Sequence, residues 1–393
     1  MISAEYRAIV SSTVPLLEEG GEALTTHFYR ILLDEHPEVR PYFNQANQAT
    51  GEQPRALANG VLMYARHIDK LEALGGLVGG IISKHVSLRI RREHYSVVGA
   101  SLLRAIREVL GADIATDTVL EAWGAAYQQL ADILGDAEEV IYDRVASSPG
   151  GWRDGRAFVV AHKVQESDEI TSFHFVPVDG GAVLVHEPGQ YIGLRVQVGQ
   201  QDARRNYSLS AASDTRGYRI SVKRVPGGAV SNYLHDHVHV GDAVELFPPS
   251  GHFVLEHNDR ALVLISGGVG ITPTLAMLHA ALATERPIHF IHSARHGGVH
   301  AFRDVIDGLV AEHPRLRRYY CYETPREGDP APDATGFLDK DLLAAWLPAT
   351  DAMDAYYLGP KPFMKAVRRA LRDLGVPDVR AKFEFFGPAS SLD

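Results

Sequence analysis

The spacing of apolar positions changes period twice along this chain, which divides it into three. Up to about residue 146 the spacing is helical: Leu74, Leu77, Val78, Ile81, Ile82 and His85 recur at three and four, with no strand-like alternation. The run Ser147-Ser148-Pro149-Gly150-Gly151 then breaks the pattern. From about 155 to 260 short β-rich runs follow, such as 218–222, separated by turns at Glu187-Pro188-Gly189-Gln190 and Pro226-Gly227-Gly228. The last third alternates, with strands over 261–265, 288–291, 316–322 and 356–358 and helical segments around 273–284, 301–311 and 363–374. The pattern predicts an all-α domain over 1–146, a small antiparallel β-barrel over 152–260 and an α/β domain with a parallel sheet over 261–393. No internal repeat or low-complexity tract interrupts it.

Composition narrows the class. At 393 residues the chain has length for two or three domains, and 45% hydrophobic with 22% charged residues is ordinary for a globular protein. A net charge of −10 argues against nucleic-acid binding, which needs a basic face. A single cysteine, Cys321, excludes an intrachain disulfide and any Cys-rich metal site, and so favours a reducing compartment. The first residues lack a basic segment followed by an apolar run, and no apolar stretch approaches roughly 18 residues. The expectation is a cytoplasmic chain with no integral membrane association and no obligate protein partner.

In the helical third, His85 continues the apolar stripe, so its imidazole should point into the core. A lone core histidine is commonly just hydrogen-bonded, but this one has company: Tyr29, Phe43, Gln53, Leu57 and Val61, then Lys84, Tyr95 and Glu138. Gln53, Leu57 and Val61 share one helix face that opens near Pro54, so a polar amide heads an apolar wall. Haem iron needs an imidazole, an apolar slot and, opposite, a donor to bound dioxygen.

The barrel carries Arg205, Asn206, Tyr207 and Ser208 at the end of a strand, between a Pro188-Gly189-Gln190-Tyr191 turn and the run from Lys223 to Leu234. An arginine can grip a pyrophosphate through its bidentate fork, and Gly227 and Gly228 let backbone approach phosphate. Gly267, Gly268, Val269 and Gly270 follow an apolar strand and precede a helix through Ile271, Thr272 and Pro273, so their amides can meet a pyrophosphate at a helix N-terminus. Leu358-Gly359-Pro360, followed by Phe363-Met364, is a second glycine-containing loop after a strand, and Glu384, Phe385, Phe386, Gly387 and Pro388 stand close to the end. Two histidine groups compete as metal sites. His235, His237 and His239, on what reads as an extended loop, lack a closing ligand, and His292, His296 and His300 are scattered; both sets read as surface.

Taken together, these motifs resemble the flavohaemoglobins, a globin fused to a ferredoxin-reductase-like module, over nearly the whole chain. The resemblance implies a globin domain at 1–146, an FAD domain at 152–260 and an NAD(P) domain at 261–393, with haem b, FAD and NAD(P)H as cofactors. It makes His85 the proximal iron ligand, Phe43 the wedge against the porphyrin and Tyr29 the distal donor, helped by Gln53 and shielded by Leu57 and Val61. Tyr95 and Glu138 would stand behind His85, where a carboxylate accepting the second ring proton makes the imidazole more anionic; Glu139 competes with Glu138 for that place. Tyr191 and Tyr207 become flavin contacts, Arg205 with Asn206 the pyrophosphate side, and Ser208 the neighbour of the reactive flavin nitrogen. Phe386, flanked by Phe385, Gly387 and Pro388, resembles the aromatic over the flavin, and Lys84 with Glu384 a charged pair that tunes the haem potential. The chain departs from the pattern at Ile271, where many members have Gln, at Leu358, where they often have Cys, and at Arg91-Arg92, which replaces a proline-containing approach to Tyr95.

The activity implied is nitric oxide dioxygenation, with NO and O2 as substrates and NAD(P)H restoring ferrous iron through FAD. Two readings compete: an NAD(P)H-driven hydroperoxide or electron-acceptor reductase, and a haem gas-binding or sensing protein. Reversible gas storage needs no attached two-electron donor, and a polar distal pocket holds oxygen for reaction.

Overall fold

The computed structural model describes residues 2–43, 60, 63–70 and 75–386. Contacts group them into two compact units, one of residues 2–147 with Gly199–Arg205, the other of Ser148–Val198 with Asn206–Phe386.

The first unit is helical, as the 3.6-residue period requires. Helix α1, Ala4–Glu35, starts where the Ser3 hydroxyl accepts from the Tyr6 amide at 3.1 Å, an ordinary N-cap. Helix α2 spans Gly75–Leu88, α3 Arg92–Leu110 and α4 Asp117–Ser147. One face of α4 is buried through Ala122, Trp123, Ala126, Ala131, Leu134, Glu138 and Tyr142, so a single carboxylate interrupts an otherwise apolar stripe. Phe28, Leu32, Ala105, Ile106 and Trp123 form the centre of the core. Ile82, Val86, Leu134 and Tyr142 form a second cluster where α2 meets α4.

Strands β1 (Arg156–Gln165), β2 (Ile170–Pro177), β3 (Tyr191–Val198), β4 (Gln201–Ser208), β5 (Tyr218–Lys223) and β6 (Ala243–Leu246) form a sheet of order β4-β3-β6-β1-β2-β5. The β1, β2, β3, β5 and β6 pairings are antiparallel, and a bridge from Leu209 to Ile220 joins the end of β4 back to β5, curling the sheet towards a barrel. Helix α5, Ala229–His237, follows β5.

The remaining residues form a parallel sheet. Strands β7 (Ala261–Gly267), β8 (Ile288–Ala294), β9 (Leu316–Tyr322), β10 (Ala334–Thr335), β11 (Met353–Leu358) and β12 (Ala381–Phe383) lie in the order β10-β9-β8-β7-β11-β12. Helices α6 (Ile271–Ala281), α7 (Arg303–Glu312), α8 (Lys340–Trp346) and α9 (Lys361–Asp373) connect them. Every residue of β8 and β11 is buried, the mark of a sheet covered on both faces. The chain steps from β7 outward to β10, then returns to the other side of β7 as β11. That reversal is where an open α/β sheet offers a crevice at its C-terminal strand ends.

The surface assignment of three histidines is corrected here. His292 is fully buried in β8, and His296 and His300 are 5% and 4% exposed. A strand covered on both faces carries no alternation, so polarity alone gave the wrong side. The other histidine group also differs in conformation, because His235 and His237 end α5 instead of lying on an extended loop. His235 is half-buried and its Nε2 donates to the Val222 carbonyl at 2.8 Å.

Candidate functional site

His85 lies near the C-terminus of α2, and two other helices supply its surroundings. Its Nδ1 is 2.8 Å from Glu138 Oε1 and 2.9 Å from the Tyr95 hydroxyl, which itself donates to Glu138 Oε1 at 2.6 Å. A hydroxyl has one proton, and the carboxylate takes it. Nδ1–H therefore points at the same oxygen, leaving Nε2 as the ring atom able to bind a metal. Glu138 is 2% exposed, so this carboxylate works outside bulk water. Burial, and next to it the Glu138 charge, pushes the Tyr95 hydroxyl far above its usual range and keeps it a neutral donor. It is Glu138 that stands behind His85; Glu139, the next residue on α4, is partly exposed.

Residues that sequence reasoning did not assign to the site hold this group in place. The Tyr127 hydroxyl donates to the Tyr95 carbonyl at 2.8 Å. The Tyr142 hydroxyl donates to the Ile90 carbonyl at 2.8 Å, fixing the turn after α2, and the Arg89 guanidinium stacks 3.8 Å from the Tyr142 ring centre. Arg89 sits at φ 58°, so this turn is left-handed without a glycine. At the proline-free start of α3 the Arg91 amide donates to His94 Nδ1 at 3.0 Å, a side-chain cap that serves in place of the proline. Of these, Arg91 was noted in the sequence, where Arg91-Arg92 replaces a proline-containing approach to Tyr95.

Tyr29 is buried in α1 and meets Phe43 edge-on, with ring centres 5.5 Å apart. Gln53, Leu57 and Val61 lie outside the described residues, as do Gly387 and Pro388. Lys84 is partly covered on α2, within the helical unit. In the second unit Glu384 is partly covered after β12, Phe385 packs edge-on against Phe383 at 5.5 Å, and Phe386 is 51% exposed.

In the barrel, Tyr191 opens β3 and Ser208 ends β4, both buried, and Leu209 bonds the Gln190 carbonyl at 2.9 Å, which draws those two strand ends together. Arg205 donates through Nη1 to the Arg204 carbonyl at 2.6 Å. Tyr207 is partly buried and Asn206 exposed beside it. Gly227 and Gly228 form the turn into α5, with Gly228 as its N-cap.

At the end of β7 the backbone itself makes the site. Gly268 takes φ +54°, and a Cβ on Gly270 would stand 2.4 Å from the Leu358 carbonyl oxygen. A Cβ on Gly267 would stand 3.1 Å from the Phe363 ring and one on Gly359 2.6 Å from it, so the two glycine loops, at the ends of β7 and β11, meet at the sheet reversal. Val269 and Gly270 lead into α6, whose first amides point towards this crevice, and the Thr272 hydroxyl donates to the Val269 carbonyl at 3.0 Å. Pro273 stands in the first turn of α6, where its missing N–H costs nothing. Ile271 and Leu358, two of the three departures from the family pattern, are both fully buried in the same core cluster. Cys321 is buried too, and burial pushes its thiol up to about 11, which makes it a packing residue.

A helical unit that prepares one imidazole for a metal, a curled antiparallel sheet and a parallel sheet with a glycine-lined crevice define an oxidoreductase that joins a globin to a flavin-dependent reductase. Family models match accordingly: Globin over residues 26–134, Oxidoreductase FAD-binding domain over 157–255 and Oxidoreductase NAD-binding domain over 264–369. The chain is 66% identical to a flavohemoprotein of Burkholderia sp. and 62% identical to one of Pseudomonas aeruginosa, each over the full length of both chains. A flavohemoglobin from Malassezia yamatoensis, solved with bound FAD and heme, superposes with a TM-score of 0.86 at 25% identity, covering 98% of this chain and 99% of that one. The FAD/NAD-binding domain of a nitric oxide dioxygenase from Vibrio cholerae is 39% identical over 60% of this chain and all of its own, with a TM-score of 0.56. The chain belongs to the flavohaemoprotein family, and its cofactors are haem, FAD and a nicotinamide dinucleotide. Among the described residues no helix is long and apolar enough to cross a membrane.

Proposed function

We propose that this chain is a nitric oxide dioxygenase of the cytoplasm, converting NO and O2 to nitrate at the expense of NAD(P)H. Its working modules are a globin domain at 1–146, an FAD domain at 152–260 and an NAD(P) domain at 261–393. The observation that carries the reading is the buried Glu138 carboxylate bonded to His85 and Tyr95, on a chain that also has a complete reductase. When bound, the haem supplies an oxygen-binding iron, the flavin splits a hydride into single electrons, and the nicotinamide delivers that hydride.

The side chains have the following roles. His85 offers Nε2 as the protein's bond to iron, and Glu138 draws on its Nδ1 proton to make the ring a stronger donor. Tyr95 holds the carboxylate in place. Tyr29, beside Phe43, is the distal hydrogen-bond donor, with Gln53 as its helper and Leu57 and Val61 as the apolar wall. Arg205 and Asn206 bind the flavin pyrophosphate, Tyr191 and Tyr207 its ring system, and Ser208 its reactive edge. The amides at 268–270 hold the nicotinamide pyrophosphate. Phe386 covers the flavin, and Lys84 and Glu384 tune the haem potential.

One NAD(P)H carries two electrons and each nitrate consumes one, so two nitrates should form per nicotinamide oxidised. The test supplies NO to the purified holoprotein in air and counts nitrate against NAD(P)H. Nicotinamide consumption without nitrate would instead assign the chain to the reductases of hydroperoxides or other electron acceptors.

A further inference from the structure

The crevice at the ends of β7 and β11 provides for the pyrophosphate and nicotinamide of a dinucleotide but leaves its far ribose unassigned. In the parallel register Gly267 pairs with Ser293, so the end of β8 is the next edge beyond the glycine loop. In doubly wound sheets the adenosine ribose lies over that neighbouring edge. An acidic residue there accepts from the ribose 2′-hydroxyl of NAD, and an arginine takes the 2′-phosphate of NADP.

Here both types are present, and they are bound to each other. Arg295, the first residue after β8, is half-exposed and forms an ion pair with Glu169, from the turn before β2. The other Glu169 oxygen takes Lys223 Nζ at 3.1 Å. The carboxylate is fixed from its own backbone as well, since the Arg224 amide donates to the Glu169 carbonyl at 2.7 Å and the Asp168 amide to the Gly298 carbonyl at 2.8 Å. Partial burial opposes ionisation, yet the Arg295 and Lys223 cations hold the Glu169 carboxyl below the usual carboxylate range.

We propose that the Glu169–Arg295 pair is the coenzyme selector of this chain and sets it for NADH over NADPH. Glu169 occupies the guanidinium face that a 2′-phosphate needs. It leaves a 28% exposed carboxylate to accept from a 2′-hydroxyl and to repel a phosphate. The inference rests on the crevice between β7 and β11 being the dinucleotide site.

The test measures binding of ADP-ribose and of its 2′-phosphate to the full holoprotein by calorimetry, in the parent, Glu169→Gln, Arg295→Ala and the double variant, each checked for unchanged haem and flavin content. The parent should favour ADP-ribose. Glu169→Gln should tighten the 2′-phosphate about tenfold by freeing a bidentate guanidinium, while weakening ADP-ribose by only about two- to threefold. The double variant should lose the gain. A parent that prefers the 2′-phosphate, or a Glu169→Gln variant with an unchanged preference, would overturn the selector. If NADH still reduces the flavin in such a case, the dinucleotide site stands and only the selector falls; if neither ligand binds and NADH leaves the flavin oxidised, both fall.

Discussion

Behind His85 the working atoms belong to side chains, and at the end of β7 they belong to the backbone. The first region builds its chemistry from three ionisable groups on α2, α3 and α4 that converge within 2.6–2.9 Å, with a buried carboxylate at the centre. The second has no charged side chain in its glycine loops, and what shapes it is the close approach of Gly270 to the Leu358 carbonyl. The difference follows from the task. Tuning a metal ligand needs a fixed charge on one named atom, whereas holding a pyrophosphate needs several parallel donors and free space. A side-chain site should break when an atom is removed, and a backbone site when one is added.

The largest effect tests the first half of that contrast. His85→Ala removes the imidazole that Glu138 orients and should abolish tight haem binding while flavin content persists, read from the absorbance of the purified protein. An unchanged haem spectrum would remove His85 from the site. Gly270→Ala tests the second half by adding one carbon against a backbone oxygen. Overpacking of this kind costs about 1–3 kcal/mol, so NADH affinity should fall tenfold or more while haem and flavin stay bound. A variant with parental NADH affinity would show that the amides at 268–270 are not the pyrophosphate cradle.

The same contrast explains what the sequence made legible. Helical phase aimed His85 inward, and the glycine spacing after an apolar strand located the crevice, because both signals are local. Glu138 was preferred as the partner of His85 with Glu139 left as a competitor, since adjacent residues on α4 differ by about 100° of rotation and the decision depends on packing against α2. Tyr127 and Arg89 were invisible, because Tyr127 acts through the Tyr95 carbonyl and Arg89 through the Tyr142 ring, each far away in the chain. The short strands β10 and β12 and helix α8 were missed for lack of a period long enough to count. The buried histidines misled for the opposite reason: β8 lies between two covered faces, and nothing in its polarity records that.

Those histidines give the next prediction. Burial drives His292 down from its ordinary 6.5 to about 3, and burial with the nearby His292, Arg303 and Arg318 holds His300 well below its usual value. Between about pH 6.5 and 3 the unfolded chain binds a proton that folded His292 refuses, so stability falls as pH drops through that window and is unaffected above it. The slope is about 1.4 kcal/mol per pH unit for each proton. Thermal release of flavin should therefore occur at markedly lower temperature at pH 5 than at pH 7.5. His292→Gln, neutral throughout and still able to bond Ser266, should narrow that gap. An equal gap in the variant would show that His292 is not the group that titrates.

The smallest and most discriminating effect separates the two partners of His85. Glu138→Gln keeps an oxygen that can accept the Nδ1 proton but removes the negative charge, exchanging a charge-assisted bond of about 1.5–3 kcal/mol for a neutral one of about 0.5–1.5 kcal/mol. The imidazole becomes a weaker donor, so the iron–histidine stretching frequency should fall and turnover with NO should slow severalfold, with haem content unchanged. Tyr95→Phe removes a donor from the same carboxylate oxygen and leaves the charge, so Glu138 should lean more heavily on Nδ1. The frequency should hold or rise while turnover changes little. The opposite signs are the test. If both variants lower the frequency, Tyr95 contributes more than positioning and the charge on Glu138 is not what tunes the ring. If Glu139→Gln lowers it more than Glu138→Gln, the contact seen behind His85 is not the one that matters in the haem-bound protein.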